Sequence, residues 1–380
     1  MPMQPSALTK KSPPSGIRAV FNRIAESTDV ISFALGEPDF DTPPPLIEAA
    51  CNAMHEGRTH YTPNAGLYDL RTAIAALYPD TAPEQVVITA GGTGAIHLTL
   101  MTLLNPGDEI IVGTPYWPTY LGQIHACGAV PRFVPTREAD GFALKAEQVE
   151  RAITPKTKML LINSPCNPTG AMLSPEDLQA LAELAIKHDL LVLSDEVYRH
   201  IVYDGAFHSI ASLPGMRDRC VIIDSFSKAY AMTGWRIGYV VAPPHIAAVM
   251  TSMHEYTVSC IPAPTQMAAL KALEVGAQYV ADMTAEFAQR RALIVQGIRD
   301  IERLSCVCPP AAFYLYFNIS ETGLDSETFV YALLEKEKVA LSPGTAFGDG
   351  QENYVRLSFA NSQEMLREGA RRIARFVRAL

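Results

Sequence analysis

The chain has no run of Lys or Arg longer than two residues and no apolar stretch approaching the roughly 18 residues of a membrane-spanning helix. Its formal charge is −9, from 31 basic against 40 acidic residues, which argues against nucleic acid or an anionic membrane as the main partner. There is no Cys-x-x-Cys, no His-Glu-x-x-His and no Cys/His cluster, so no resident metal is expected. The seven cysteines are scattered in mostly apolar surroundings, and only Cys306 and Cys308 are close in sequence. This is the usage of reduced core thiols in a cytoplasmic protein. The opening "MPMQPSALTKKSPPSGIR" lacks the apolar segment of a signal peptide.

What is there is apolar material and alternation. With 380 residues, 48% hydrophobic and 19% charged, the chain is too long for one ordinary core and suits two packed domains. From about residue 86, short β-branched runs alternate with helical patterns. "QVVIT" (85–89), "EIIVG" (109–113), "KMLLIN" (158–163), "LLVLSD" (190–195) and "CVIIDS" (220–225) read as buried strands. "SPEDLQALAELAIKHD" reads as a helix, with Ser174 as N-cap, Pro175 at N1 and Asp177 closing a capping box. Such alternation predicts an α/β fold whose largely parallel sheet is covered on both faces. From about 276 the character changes: a long helix (285–304), an aromatic strand "AFYLYFNI" (312–319) and a C-terminal amphipathic helix suggest a smaller α+β domain. The expected division is 37–275 for the large domain, and 1–36 together with 276–380 for the small one.

The chemistry gathers at the ends of the strands, where ligands bind in α/β sheets. "GGTGA" (91–95) is either a cradle for an anion at a helix N-terminus or a plain tight turn. A dinucleotide fingerprint fits poorly, because position 97 is His where a third glycine belongs. Asn167 sits in the turn "SPCNPTG" and Asp195 ends a strand, with Tyr198 three residues on. Asn167 could serve the turn alone, and Asp195 could be an N-cap. "DSFSKAYAMTGWR" then supplies Ser225, Ser227, Lys228 and Arg236. Lys228 alone could be a solvated loop lysine. Together these are the groups a pyridoxal phosphate site requires: an amine, a carboxylate for the ring nitrogen, donors for the ring oxygen, and a phosphate cradle with an arginine.

The chain resembles the fold-type I, class I/II aminotransferases of the bacterial aspartate-aminotransferase type over nearly its whole length. The resemblance is carried in order by "GEPDFDTP" (36–43), "HYTPNAGLYDLR" (60–71), "GGTGA", "NPGDE" (105–109), "PYWPTY" (115–120), "NSPCNPTG" (163–170), "SDEVY" (194–198), "SFSKAYAMTGWRIGY" (225–239) and "YVRLSFA" (354–360). It implies a seven-stranded, mainly parallel sheet and a small domain that moves on substrate binding. It also implies a ping-pong transfer of the amino group of an L-amino acid to a 2-oxo acid.

By motif, Lys228 is implied as the Schiff-base lysine that shuttles the Cα proton, and Asp195 as the partner of the ring nitrogen. Asn167 and Tyr198 would meet the ring hydroxyl. Gly92, Thr93 and Gly94, with Ser225 and Arg236, would meet the phosphate, and Trp117 would stack on the ring. Tyr61 would reach the phosphate of a neighbouring subunit in a homodimer with shared active sites. Arg356 would hold the substrate α-carboxylate, with Gly36 in the segment that closes over it. Trp117 and Asn167 would also face the substrate. Some bacterial aspartate-type members carry a lysine where this chain has Thr93, so aspartate is expected to be a modest donor beside neutral, aromatic or longer polar amino acids. The alternatives are a β-lyase or decarboxylase on the same fold, a non-enzymatic cofactor-sensing regulatory domain, and an NAD-dependent dehydrogenase. The regulatory reading would normally need a DNA-binding module, and the stretch ahead of residue 36 carries no basic recognition helix.

Overall fold

A computed structural model describes Gln4 and residues 29–380. The expectation that the N-terminal arm joins the small domain falls mostly outside the described residues. The strands of the main sheet are β1 (Val86–Thr89), β2 (Glu109–Thr114), β3 (Val130–Pro135), β4 (Thr157–Asn163), β5 (Leu191–Asp195), β6 (Cys220–Ser225) and β7 (Gly238–Val241). Their order is β1-β7-β6-β5-β4-β2-β3. β7 runs antiparallel to both neighbours and every other pair is parallel. The α/β fold class expected from the sequence is the one observed.

The near-continuous apolar strands have a direct physical cause, since both faces of the sheet are buried. Val192, Ile222, Leu160 and Ile88 point into one core, while their chain neighbours Leu193, Val221, Leu161 and Val87 point into another. The period of two along each strand divides them between the faces. Helices α1 (Pro44–His55), α2 (Gly91–Leu103), α3 (Thr119–Ala126), α4 (Pro175–Lys187), α5 (Pro244–Glu255) and α6 (Ala263–Val275) supply the cover. Ser174 caps α4 as the sequence suggests, its hydroxyl oxygen accepting the Asp177 N–H at 3.1 Å. The other half of the box is replaced: the Asp177 carboxylate takes the Ser174 hydroxyl and the Lys145 ammonium.

A separate core is built from α7 (Ala277–Arg299), α8 (Ser326–Glu337) and α9 (Gln363–Arg378) against β8 (Tyr314–Asn318) and β9 (Tyr354–Ser358). β8 and β9 are antiparallel, with Tyr316 opposite Arg356. Phe33, Phe287, Phe313, Phe317 and Phe376 fill this core. Tyr198 and Ile201, which follow β5, pack into it as well, so this core meets the main sheet at its carboxyl edge. The segment ahead of Gly36 is fastened there by a parallel pairing of Ile31–Ser32 with Val339–Ala340.

Candidate active site

Four strand ends deliver the polar groups. After β1 the chain turns at Gly91, in the left-handed region with φ of 70°, and enters α2 with no side chain capping its first turn. The free N–H groups of that turn, with the positive end of the helix dipole, make an anion site. Arg236 reaches the same turn: a Cβ on Gly91 would lie 2.7 Å from its Nη2. Gly238 in β7 passes beneath, where a Cβ would lie 2.7 Å from the Gly91 carbonyl carbon.

Asn163, at the end of β4, shapes the next loop. Its Oδ1 accepts the Asn167 N–H at 2.9 Å, and its Nδ2 donates to the Pro165 and Asp195 carbonyls. Asn167 is thereby held with Oδ1 accepting from Arg356 Nη1 at 2.9 Å. An arginine can only donate, so this bond fixes the amide and leaves its N–H₂ for another acceptor. At the end of β5, Asp195 is buried and accepts from the Tyr120 hydroxyl and from Val197 N–H. Burial pushes its carboxyl up to about 6, against the hydrogen bonds that favour the charged form.

After β6, the Ser225 side chain caps the short helical turn Phe226–Ala229 by accepting the Ser227 N–H at 3.1 Å. The turn projects Lys228 into the cavity, where its Nζ donates to the Gly36 carbonyl at 2.6 Å. Desolvation pushes this ammonium down to about 8. β9 contributes Arg356, whose Nη2 donates to the Ala34 carbonyl at 2.6 Å and to Ser342 Oγ at 3.3 Å. Its Nε is buried without a partner among the described residues. Lys228, Arg356 and Arg236 all bond there to carbonyls or neutral side chains.

Of the residues singled out in the sequence, Gly36, Gly92, Thr93, Trp117, Asn167, Asp195, Tyr198, Ser225, Lys228, Arg236 and Arg356 face one cavity of about 270 Å³. Gly94, the fourth residue of α2, lies off its wall, and Tyr61 is 92% exposed elsewhere on the surface. Sequence reasoning gave no role to Tyr120, Asn163 or Tyr314, which also line the cavity. Tyr120 had a signal, three residues after Trp117 at the opening of α3. Its ring stands edge-on to Trp117, with centroids 5.3 Å apart.

These residues fit pyridoxal phosphate. A buried carboxylate, a desolvated amine and an uncapped helix start beside an arginine are the groups that would suit its ring nitrogen, aldehyde and phosphate. The partnerless face of Arg356 remains for a second anion. The family model for class I and II aminotransferases matches residues 28–373. Aspartate aminotransferase of Pyrococcus abyssi is 41% identical, the match covering 96% of each chain. Aromatic-amino-acid aminotransferase 2 of Thermococcus litoralis is 40% identical with the same coverage. The solved structure of Thermus thermophilus aspartate aminotransferase with maleate superimposes with a TM-score of 0.94 at 37% identity, covering 98% of this chain and 99% of that one. Amino-group transfer is favoured over the lyase and decarboxylase alternatives. The chain belongs to the class I and II aminotransferase family and is a pyridoxal-phosphate-dependent enzyme of fold type I.

Proposed function

We propose that Lys228 is the amine that takes up the cofactor and, once a substrate amine displaces it, the base that moves the Cα proton. Pyridoxal phosphate supplies an aldehyde that condenses with amines and a ring that accepts electrons from Cα. Asp195 holds the ring nitrogen protonated, and Asn167 and Tyr198 donate to the ring oxygen. Trp117 stacks on the ring. The backbone amides of Gly92, Thr93 and Gly94, with Ser225 and Arg236, bind the phosphate. Arg356 receives the α-carboxylate shared by all amino acids and 2-oxo acids, and the Gly36 segment excludes water above it.

The observation that carries this reading is a pair of desolvated cations, Lys228 and Arg356, that hold only neutral groups while facing a buried carboxylate across one cavity. A buried cation without a counter-charge is costly, and an incoming anion relieves that cost. Borohydride reduction of the cofactor-loaded enzyme followed by peptide mapping tests the central assignment. The tag is expected on Lys228, and a tag on another lysine overturns it.

Among the described residues the lining holds three cations, each with a role, and Thr93 adds none. Neutral, aromatic or longer polar amino acids are therefore the proposed donors, with aspartate a modest one. We place Tyr61 in a homodimer, each copy lending its tyrosine to the phosphate site of the other. The cofactor-binding domain is proposed to span 37–275, with 1–36 and 276–380 as the moving small domain. Seven free thiols support a cytoplasmic location.

A further inference from the structure

The Tyr198 hydroxyl has one partner among the described residues, the hydroxyl of Tyr314, at 2.7 Å. Both phenols are buried and both line the cavity. Tyr314 comes from β8 and Tyr198 from the segment that follows β5, so the bond ties β8 to the end of the main sheet at the site. Each hydroxyl owns one proton, and the bond uses only one of the two. Were Tyr198 the donor, the Tyr314 proton would be left over in a packed place. Its hydroxyl is pressed against Gly36, where a Cβ would collide with it. With Tyr314 donating, the proton left over belongs to Tyr198 and faces the cavity. The second arrangement leaves no buried donor stranded once an acceptor enters. The Arg356 guanidinium, 4.6 Å from the centre of the Tyr314 ring, favours the same direction by making that phenol the more acidic of the two.

We infer that Tyr314 is a positioning residue: its hydroxyl donates to Tyr198 and so aims the Tyr198 proton at the ring oxygen of the cofactor. The inference rests on the proposal that Tyr198 serves that oxygen, and adds a group that touches neither cofactor nor substrate by its hydroxyl. A phenol that receives a hydrogen bond is a weaker base and a stronger donor, because chained bonds polarise one another. Donation to the ring oxygen stabilises its anionic form, and so eases loss of the neighbouring imine proton that the oxygen would otherwise hold.

The test is the pH midpoint of the visible absorbance of the cofactor-loaded enzyme, in the wild type, Tyr314→Phe, Tyr198→Phe and the double variant. Tyr314→Phe should raise the midpoint by about 0.4–1 pH unit, equivalent to one net hydrogen bond. In the Tyr198→Phe background the same change should add no shift, because the relay has lost its second member. A packing role for Tyr314 would move both backgrounds alike. Installing 3,5-difluorotyrosine at position 314, a stronger donor of nearly the same size, should lower the midpoint, and it preserves the contact should the phenylalanine variant fold poorly. No shift in the wild-type background, or equal shifts in both, overturns the inference. A wild-type chain that forms no visible chromophore with pyridoxal phosphate overturns the proposed function and this inference with it.

Discussion

Glu196 follows Asp195 and is equally buried, yet it faces away from the cavity. Its Oε1 accepts from the hydroxyls of Ser194 and Ser209 at 2.9 and 2.5 Å, and its Oε2 has no partner among the described residues. Burial pushes this carboxyl up to about 7. A carboxyl raised on folding contributes fully below its unfolded pKa, and that contribution is lost as pH rises from about 4.5 toward 7. Glu196→Gln is therefore expected to flatten the fall in melting temperature over that window, with a gain on the order of 3 kcal/mol above it. An unchanged pH profile would count against a buried, titrating Glu196. Arg356→Ala should raise KM for every amino acid and lower kcat/KM by about 10- to 150-fold, the worth of a charge-assisted bond. Amines lacking a carboxylate should be spared. Thr93→Lys should shift kcat/KM toward acidic donors, and a wild-type enzyme that uses aspartate tenfold faster than neutral donors would contradict the proposed substrate range. Lys228 and Asp195 were legible because a short apolar strand announces where its end will be. Tyr314 was not, because its role depends on a partner more than a hundred positions away in the chain.

At the scale of elements, β7 and the start of α2 constrain each other. A methyl group at Gly238 would meet the Gly91 carbonyl carbon and the Gly92 nitrogen at 2.7 and 2.8 Å, and backbone on both sides cannot yield as a side chain could. Gly238→Ala should destabilise by about 1–3 kcal/mol. It should also weaken pyridoxal phosphate binding more than a Gly→Ala change at Gly122, where a Cβ meets nothing. Spectral titration with the cofactor, run beside thermal melts, separates the two effects. The sequence showed five of the seven strands of this sheet. β3 was obscured by Pro131 and Pro135, which an edge strand tolerates and a central one does not. β7 is only four residues long and begins with glycine, so its pattern is too brief to read alone. The long helix α7 also begins earlier than its clearest periodic stretch, at Ala277.

At the scale of the whole molecule, the cavity is built by the strand ends of the main sheet together with β8 and β9, while Tyr61 stands 92% exposed and away from it. Tyr256, also strongly exposed, is among the other large side chains left on the surface. The proposed homodimer makes a complementation prediction. Lys228→Ala and Tyr61→Ala homodimers should each be impaired. Mixed dimers of the two should regain one native site, combining Lys228 of one copy with the tyrosine of the other. Recovery of about half the native activity per mixed dimer, from one intact site in two shared sites, is measured by mixing after mild dissociation. No recovery would place Tyr61 in its own site or in none.

The strand order carries a consequence for how such a chain is made. β1 lies at the sheet's edge and its neighbour among the described residues is β7, with Val86 paired to Val241 across well over a third of the sequence. Closing so long a loop comes before any of its contacts repay the entropy. The helix start proposed to cradle the phosphate is therefore secured only after Val241 has left the ribosome. A nascent chain halted before that point should hold β2 to β6 without a place for the phosphate, and would expose one flank of β6 to chaperones or to another copy.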